Sequence, residues 1–243
     1  MDYEKLCKLS FSQLKSIANE LKITSCRSKD KLLDEIIIFF TEYEAYKSRT
    51  EKYNKIRTLG NKGKEGITFL VRKKNGMEYA MKTFNKRKSS DRIKKEAYLQ
   101  TKAAELNIAP RVIEVDTISN YIVMEKMDKH LLEIIKKESI LTKCQQKQII
   151  KIYKKLDEAN VFHADANLLN YMLLGRQIYI IDFGMAKEIT NDLIKKLGTN
   201  TPNLSIMTLG FILKLKEMSC PFESYEYMIN FLTEEQINQF KLR

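Results

Sequence analysis

The chain has 243 residues, 44% of them hydrophobic, which is enough for one large domain core or a domain with a small added module and argues against disorder. With 8 Gly and 3 Pro, no run of 18 apolar residues and a start (Met1-Asp-Tyr-Glu-Lys5) that lacks a basic-then-apolar leader, it reads as neither fibrous, membrane-spanning nor secretory. The net charge of +12 fits anionic partners such as nucleic acid, nucleotide phosphates or acidic proteins, and equally a Lys-, Ile- and Asn-rich product of an AT-rich genome, as in a large DNA virus.

Residues 1–40 read as a small helical module. Ser10-Phe-Ser-Gln13 fits a capping box, and Leu14, Ile17, Ala18 and Leu21 recur at helical spacing. A polar bend over residues 24–29 separates this stripe from a second one of Leu32, Leu33, Ile36, Ile37 and Phe40. Leu14-Lys15, Ala18, Leu21, Ile23, Ser28-Lys29, Leu32-Leu33 and Ile36 resemble the SAP and Rho-N-terminal type of helix–extension–helix module. That resemblance implies DNA or RNA contact through Lys22, Arg27, Lys29 and Lys31. Two amphipathic helices that merely pack on a larger domain would show the same stripes.

Residues 41–55 are polar and without Gly or Pro, and extend the second helix as a linker. The period then changes, and strands fit Ile56–Leu59, Ile67–Arg72 and Glu78–Phe84, with Asn75-Gly76 as a type I′ hairpin signal. Gly60, Gly63 and Gly66 lie between the first two strands, where small residues let backbone N–H groups approach phosphate oxygens; an ordinary hairpin loop looks the same. Lys82 ends Tyr79-Ala-Met-Lys82 on the third strand, which otherwise reads as a solvated edge position. A helix fits residues 91–106 with Asp91 as its cap. It carries Glu96, with Glu105 as the fallback carboxylate, unless Glu96 serves only a pair along the helix surface. Strands follow at Arg111–Val115 and Tyr121–Met124.

A long helix fits Thr142–Ala159, with Ile149, Ile150, Ile152, Tyr153 and Leu156 on its buried side. His163-Ala-Asp165-Ala-Asn-Leu-Leu-Asn170 comes next. Short strands at Tyr171–Leu174 and Gln177–Ile181 flank a Gly175-Arg176 turn and lead into Asp182-Phe-Gly184. Phosphoryl transfer needs a carboxylate near the attacking hydroxyl and further oxygen ligands for a metal, and Asp165, Asn170 and Asp182 have those types in that order. The 59 residues after Gly184 look helical, with Thr233-Glu-Glu-Gln236 capping the last helix.

These segments resemble the protein-kinase superfamily over about residues 53–215: H-x-D-x-x-x-x-N at 163–170, D-F-G at 182–184 and A-M-K for the strand lysine. The β-β-β-α-β-β order matches its N-lobe, and Gly63-Lys-Glu-Gly66 is similar to the G-K-E-S loop of the RIO kinases. The resemblance implies an α+β, two-lobed protein-kinase-like fold with a truncated C-lobe. The N-lobe would cover about 56–124 and the C-lobe about 125–243, preceded by the small α-helical module. It implies ATP and Mg2+ as cofactors and a protein substrate. Lys82 would neutralise the phosphates and Glu96 would hold Lys82. Gly60, Gly63 and Gly66 would cradle the phosphates, and Glu125 and Met127 of the Met124–Met127 hinge would receive adenine. Asp165 would accept the hydroxyl proton, Asn170 and Asp182 would hold metal, and His163 would support the loop.

Departures narrow the resemblance. Ala164 stands where many kinases carry the Arg that pairs with a phosphorylated activation loop, Asn167 stands where Ser/Thr kinases carry Lys, and no A-P-E follows Gly184. These features are similar to the minimal RIO kinases and the small kinase of the tRNA-modifying KEOPS complex. Two alternatives stay open. Aminoglycoside-type small-molecule kinases share H-x-D-x-x-x-x-N, although D-F-G argues against them. A nucleic-acid-binding pseudokinase would use the basic surface, although Lys82, Asp165, Asn170 and Asp182 are all present. Cys7, Cys26, Cys144 and Cys220 lack any C-x-x-C, so reduced thiols and an intracellular compartment are expected.

Overall fold

The computed structural model of the chain describes residues 3–24, 28–60 and 63–241. It divides into two compact units: Met1–Asn54 with Arg72–Met77, and Lys55–Val71 with Glu78–Arg243.

The first unit contains α1 (Tyr3–Cys7), α2 (Phe11–Glu20) and α3 (Lys29–Glu51). Ser10 caps α2 through the expected reciprocal box: its hydroxyl accepts the Gln13 N–H, and the Gln13 side chain accepts the Ser10 N–H. Leu6, Leu14, Ala18, Leu32 and Ile36 form its core, so the two predicted stripes do face one another. Each buried Leu or Ile stabilises this small core by about 1.5–3 kcal/mol. Arg27 and Cys26 lie outside the described residues. The helix continues through the polar stretch to Glu51, and the next strand starts earlier than the pattern suggested.

That strand is β1 (Tyr53–Thr58), followed by β2 (Gly66–Lys73), β3 (Glu78–Phe84), α4 (Ser90–Glu105), β4 (Val112–Asp116) and β5 (Tyr121–Glu125). The sheet runs β1-β2-β3-β5-β4, and β5 pairs antiparallel with both β3 and β4. Ala80, Phe84, Ile93, Ala97, Ile122 and Met124 form the core between α4 and the sheet. Two sequence readings need correction here. The β2–β3 connection is not a type I′ turn, which needs positive φ at both central residues. Gly76 is at +85° but Asn75 keeps negative φ; the Gly76 N–H donates to Lys73 O and the Lys73 N–H to Met77 O, so a three-residue loop with glycine last closes the hairpin. The cap of α4 is Ser89, whose hydroxyl accepts the Arg92 N–H, and Asp91 lies two residues further on, within the first turn.

The remaining elements are β6 (Lys129–His130), α5 (Leu131–Glu138), α6 (Lys143–Glu158), β7 (Val161–Phe162), β8 (Tyr171–Leu174), β9 (Gln177–Ile180), β10 (Lys187–Glu188), α7 (Asn191–Leu197), α8 (Thr208–Glu217), α9 (Glu226–Ile229) and α10 (Glu234–Lys241). Thr142 caps α6, and the predicted Ile149, Ile150, Ile152, Tyr153 and Leu156 are buried. They pack with Leu131, Leu168, Ile178, Phe183 and Phe211 in the largest core. The architecture is therefore α+β: an antiparallel sheet with one long helix, then a mostly helical lobe whose small strands β6-β8-β9 and β7-β10 carry the loops of interest. No helix among the described residues is long and apolar enough to cross a membrane.

Candidate active site

Lys82 projects from β3 and Glu96 from α4, where the strand's packing on the helix brings them together. The Lys82 Nζ donates to Glu96 Oε1 at 2.6 Å and to Asp182 Oδ1 at 2.7 Å. Asp182 is 100 residues from Lys82 in sequence, so this triad exists only in the folded chain. Burial disfavours the charge on Lys82, but the carboxylates of Glu96 and Asp182 outweigh it and hold its pKa above the ordinary value. For Asp182, burial pushes the pKa up, and Lys82 with the Gly184 N–H more than reverses this, leaving it below the usual range. Glu105, the fallback partner, is exposed at the end of α4.

The second half of the site is the loop from His163 to Asn170. Asn170 Nδ2 donates to Asp165 Oδ2 at 2.9 Å, and the Asn167 N–H donates to Asp165 Oδ1 at 3.1 Å. The Asp165 carboxylate is thus held by its own loop. His163 is buried, with its ring nitrogens facing the carbonyls of Asp165 (3.2 Å) and Ile181 (3.0 Å) and its edge against Phe183. It therefore ties the Asp165 loop to the residue preceding Asp182. The Ile181 N–H adds a bond to the Asn170 carbonyl at 2.8 Å. Ala164 and Asp182 both take φ of 65°, a strained backbone region for residues with a Cβ that is tolerated where surrounding contacts fix it.

The glycines lie where the sequence placed them, with different duties. Gly60 takes φ +75°. The Gly63 N–H donates to Gly66 O at 2.9 Å, which tightens the loop. A Cβ at Gly66 would fall on the Thr83 carbonyl oxygen, so close approach to β3 demands glycine there. At the predicted hinge, Met127 is buried, and the Glu125 N–H is already bonded to Arg111 O at 2.9 Å.

Sequence reasoning missed several supporting residues. Asn203 accepts the His163 backbone N–H at 3.0 Å and donates through Nδ2 to Val161 O and Asp157 Oδ1, both at 2.7 Å. Asp157 also accepts the N–H groups of Asn203 and Leu204. Partners 46 residues apart on α6 and a buried turn leave no local pattern to find. Lys88, which donates to Glu96 Oε2 at 2.6 Å, was also missed.

The donor set suits a hard divalent cation. Asp182 offers a half-exposed carboxylate, and Asn170, donating through nitrogen, keeps its amide oxygen as an acceptor. Among the described residues no group of three His, Cys, Asp or Glu could hold a metal alone. In the N-terminal unit, Lys22, Lys29 and Lys31 are exposed around the bend.

The chain is similar to several known proteins. It is 31% identical over 126 residues to the KEOPS complex subunit Bud32 of Pyrococcus abyssi, a match covering 50% of this chain and 56% of that protein. It is 26% identical over 125 residues to a probable bifunctional tRNA threonylcarbamoyladenosine biosynthesis protein of Methanosarcina mazei, covering 51% of this chain and 22% of that one. The counterpart from Methanosarcina barkeri is 23% identical over a similar span. The chain thus spans about half the length of the first relative and about a fifth of the others. The sequence model of the protein kinase domain matches residues 53–203, a stretch that holds the glycine-rich loop, Lys82, Glu96, Asp165, Asn170 and Asp182, and the chain belongs to the protein kinase family.

Proposed function

We propose that the chain is an ATP- and Mg2+-dependent phosphotransferase of the minimal, atypical kind, acting on a serine or threonine hydroxyl of a protein. The observation that carries this is the convergence of Lys82, Glu96 and Asp182 with the Asp165–Asn170 loop through His163 and Ile181. Mg2+, held by Asp182 and Asn170, would supply charge neutralisation for the phosphates. Lys82, oriented by Glu96, binds and orients the nucleotide phosphates from the β3 side. Asp165 aligns the attacking hydroxyl and takes its proton as the new bond to phosphorus forms and the bond to the ADP oxygen breaks. His163 keeps Asp165 and Asp182 in register and does not touch the reacting atoms.

The name of the Pyrococcus relative as a complex subunit supports the further reading that this chain works with a protein partner. Exposed Lys22, Lys29 and Lys31 favour contact of the N-terminal unit with a nucleic-acid backbone as a second, separate reading.

The test is incubation with radiolabelled ATP and Mg2+, with and without added proteins. Labelled protein supports the proposal; ATP hydrolysis without transfer, or no turnover, sinks it. Asp182→Asn should lower transfer at least about a hundredfold while the chain still folds.

A further inference from the structure

A second buried lysine reaches the glutamate that holds Lys82. Lys88 lies in the turn between β3 and α4, with its side chain 5% exposed. Its Nζ donates to Glu96 Oε2 at 2.6 Å and to Glu65 Oε2 at 2.5 Å. Each oxygen of Glu96 therefore takes one lysine, Lys82 on Oε1 and Lys88 on Oε2. Glu65 belongs to the glycine-rich loop, and that loop is tied to the same turn twice more. The Asn85 N–H donates to Glu65 O at 2.9 Å, and Asn85 Nδ2 donates to Lys64 O at 2.8 Å. A Cβ placed on Gly184 would come within 2.7 Å of Glu65 Oε2, so the Glu65 side chain reaches the D-F-G segment.

An exposed salt bridge would contribute little. Here Lys88 and Glu96 are both almost wholly buried, at 5% and 3% exposure, and removing Lys88 leaves a buried carboxylate oxygen uncompensated. The charges alternate along one path: Glu65, Lys88, Glu96, Lys82, Asp182. Every inner member of this path is shared between two neighbours.

We infer that Lys88 is a positioning residue for phosphoryl transfer: through Glu65 and Glu96 it locks the glycine-rich loop to the lysine that faces the phosphates. A loop held before the nucleotide arrives loses less freedom on binding, so the contact acts mainly on nucleotide affinity. The inference rests on the phosphotransferase reading.

The test measures Mg-ATP binding by calorimetry, steady-state transfer and Tm on the full chain and on Lys88→Met, Lys88→Arg, Glu65→Gln and the Glu65→Gln/Lys88→Met double variant. Lys88→Met and Glu65→Gln are expected to raise KM for ATP about tenfold or more, with a smaller change in kcat. Lys88→Arg should restore most of the affinity. The double variant should bind no worse than Lys88→Met alone, because both changes break one contact. A drop in Tm with unchanged KM in both single variants would overturn the inference and leave a structural bridge. Should Lys88→Met fail to fold, Glu65→Gln decides by itself, since Glu65 is 39% exposed and lies in a loop. A wild-type chain that neither binds Mg-ATP nor transfers phosphate removes the phosphotransferase reading and this inference with it. An active wild type with wild-type KM in Glu65→Gln removes this inference alone.

Discussion

At His163 the ring is buried between two carbonyls and Phe183, and burial lowers its pKa from the ordinary 6.5. The unfolded chain therefore takes up this proton first as pH falls. The stability contributed by the neutral ring is present above about pH 6.5 and is lost as pH drops through the lower folded value. Tm should fall between pH 7 and pH 5, and His163→Gln should flatten that part of the profile; an unchanged slope would show that other groups dominate. Asp182 adds a second loss in the same direction, at acid pH below its ordinary 3.8. The identities of Asp165, Asn170 and Asp182 were legible in sequence because their spacing is local to one loop and one hairpin. Lys88 and Asn203 were not, because a lysine in a basic turn and an asparagine in a helical tail become informative only once their buried partners are known.

At the scale of elements, the start of β2 is decided by contact. Gly66→Ala would place a methyl on the Thr83 carbonyl, displacing the loop from β3, and nucleotide affinity should fall by about tenfold or more. A binding isotherm checks this, with Gly63→Ala as the milder comparison, since its Cβ would meet Gly66 O at 3.6 Å. Ser89→Ala removes the cap of α4 and should cost about 1 kcal/mol, read as a fall in Tm. The segment after Gly184 carries no A-P-E, and Ala164 offers no cation to a phosphorylated residue. Phosphatase treatment should therefore leave transfer unchanged, and a large loss would reveal a phosphate-dependent arrangement. The misread turn at Asn75-Gly76 belongs to this scale too: the dipeptide signals a hairpin, but the loop length between paired strands selects the turn type.

For the molecule as a whole, charge is the property most exposed to test. If the N-terminal bend meets a phosphate backbone, reversing Lys22, Lys29 and Lys31 to Glu should weaken duplex DNA binding more than reversing the exposed Lys136, Lys137 and Lys195. Equal losses in both triple variants, measured across a salt series, would assign the binding to the net charge of +12 alone. In the same unit, Leu14→Ala should cost about 2–5 kcal/mol, because Leu14 is fully buried in a core of five residues.

What the amino-acid sequence determined by itself was the set of local patterns. The capping boxes at Ser10 and Thr233, the apolar faces of α2, α3 and α6, the succession of strands and helices along the chain and the spacing from Asp165 to Asp182 all follow from patterns within short stretches of chain. The tertiary structure alone decided that Lys82 meets Asp182 as well as Glu96, that a second lysine shares Glu96, and that Asn203 reaches the His163 backbone from 40 residues away and Asp157 from 46. Those pairings are set by how β3, α4 and the buried turns pack. Burial is what makes them consequential, because a charge or amide removed from water must find its partner inside the fold.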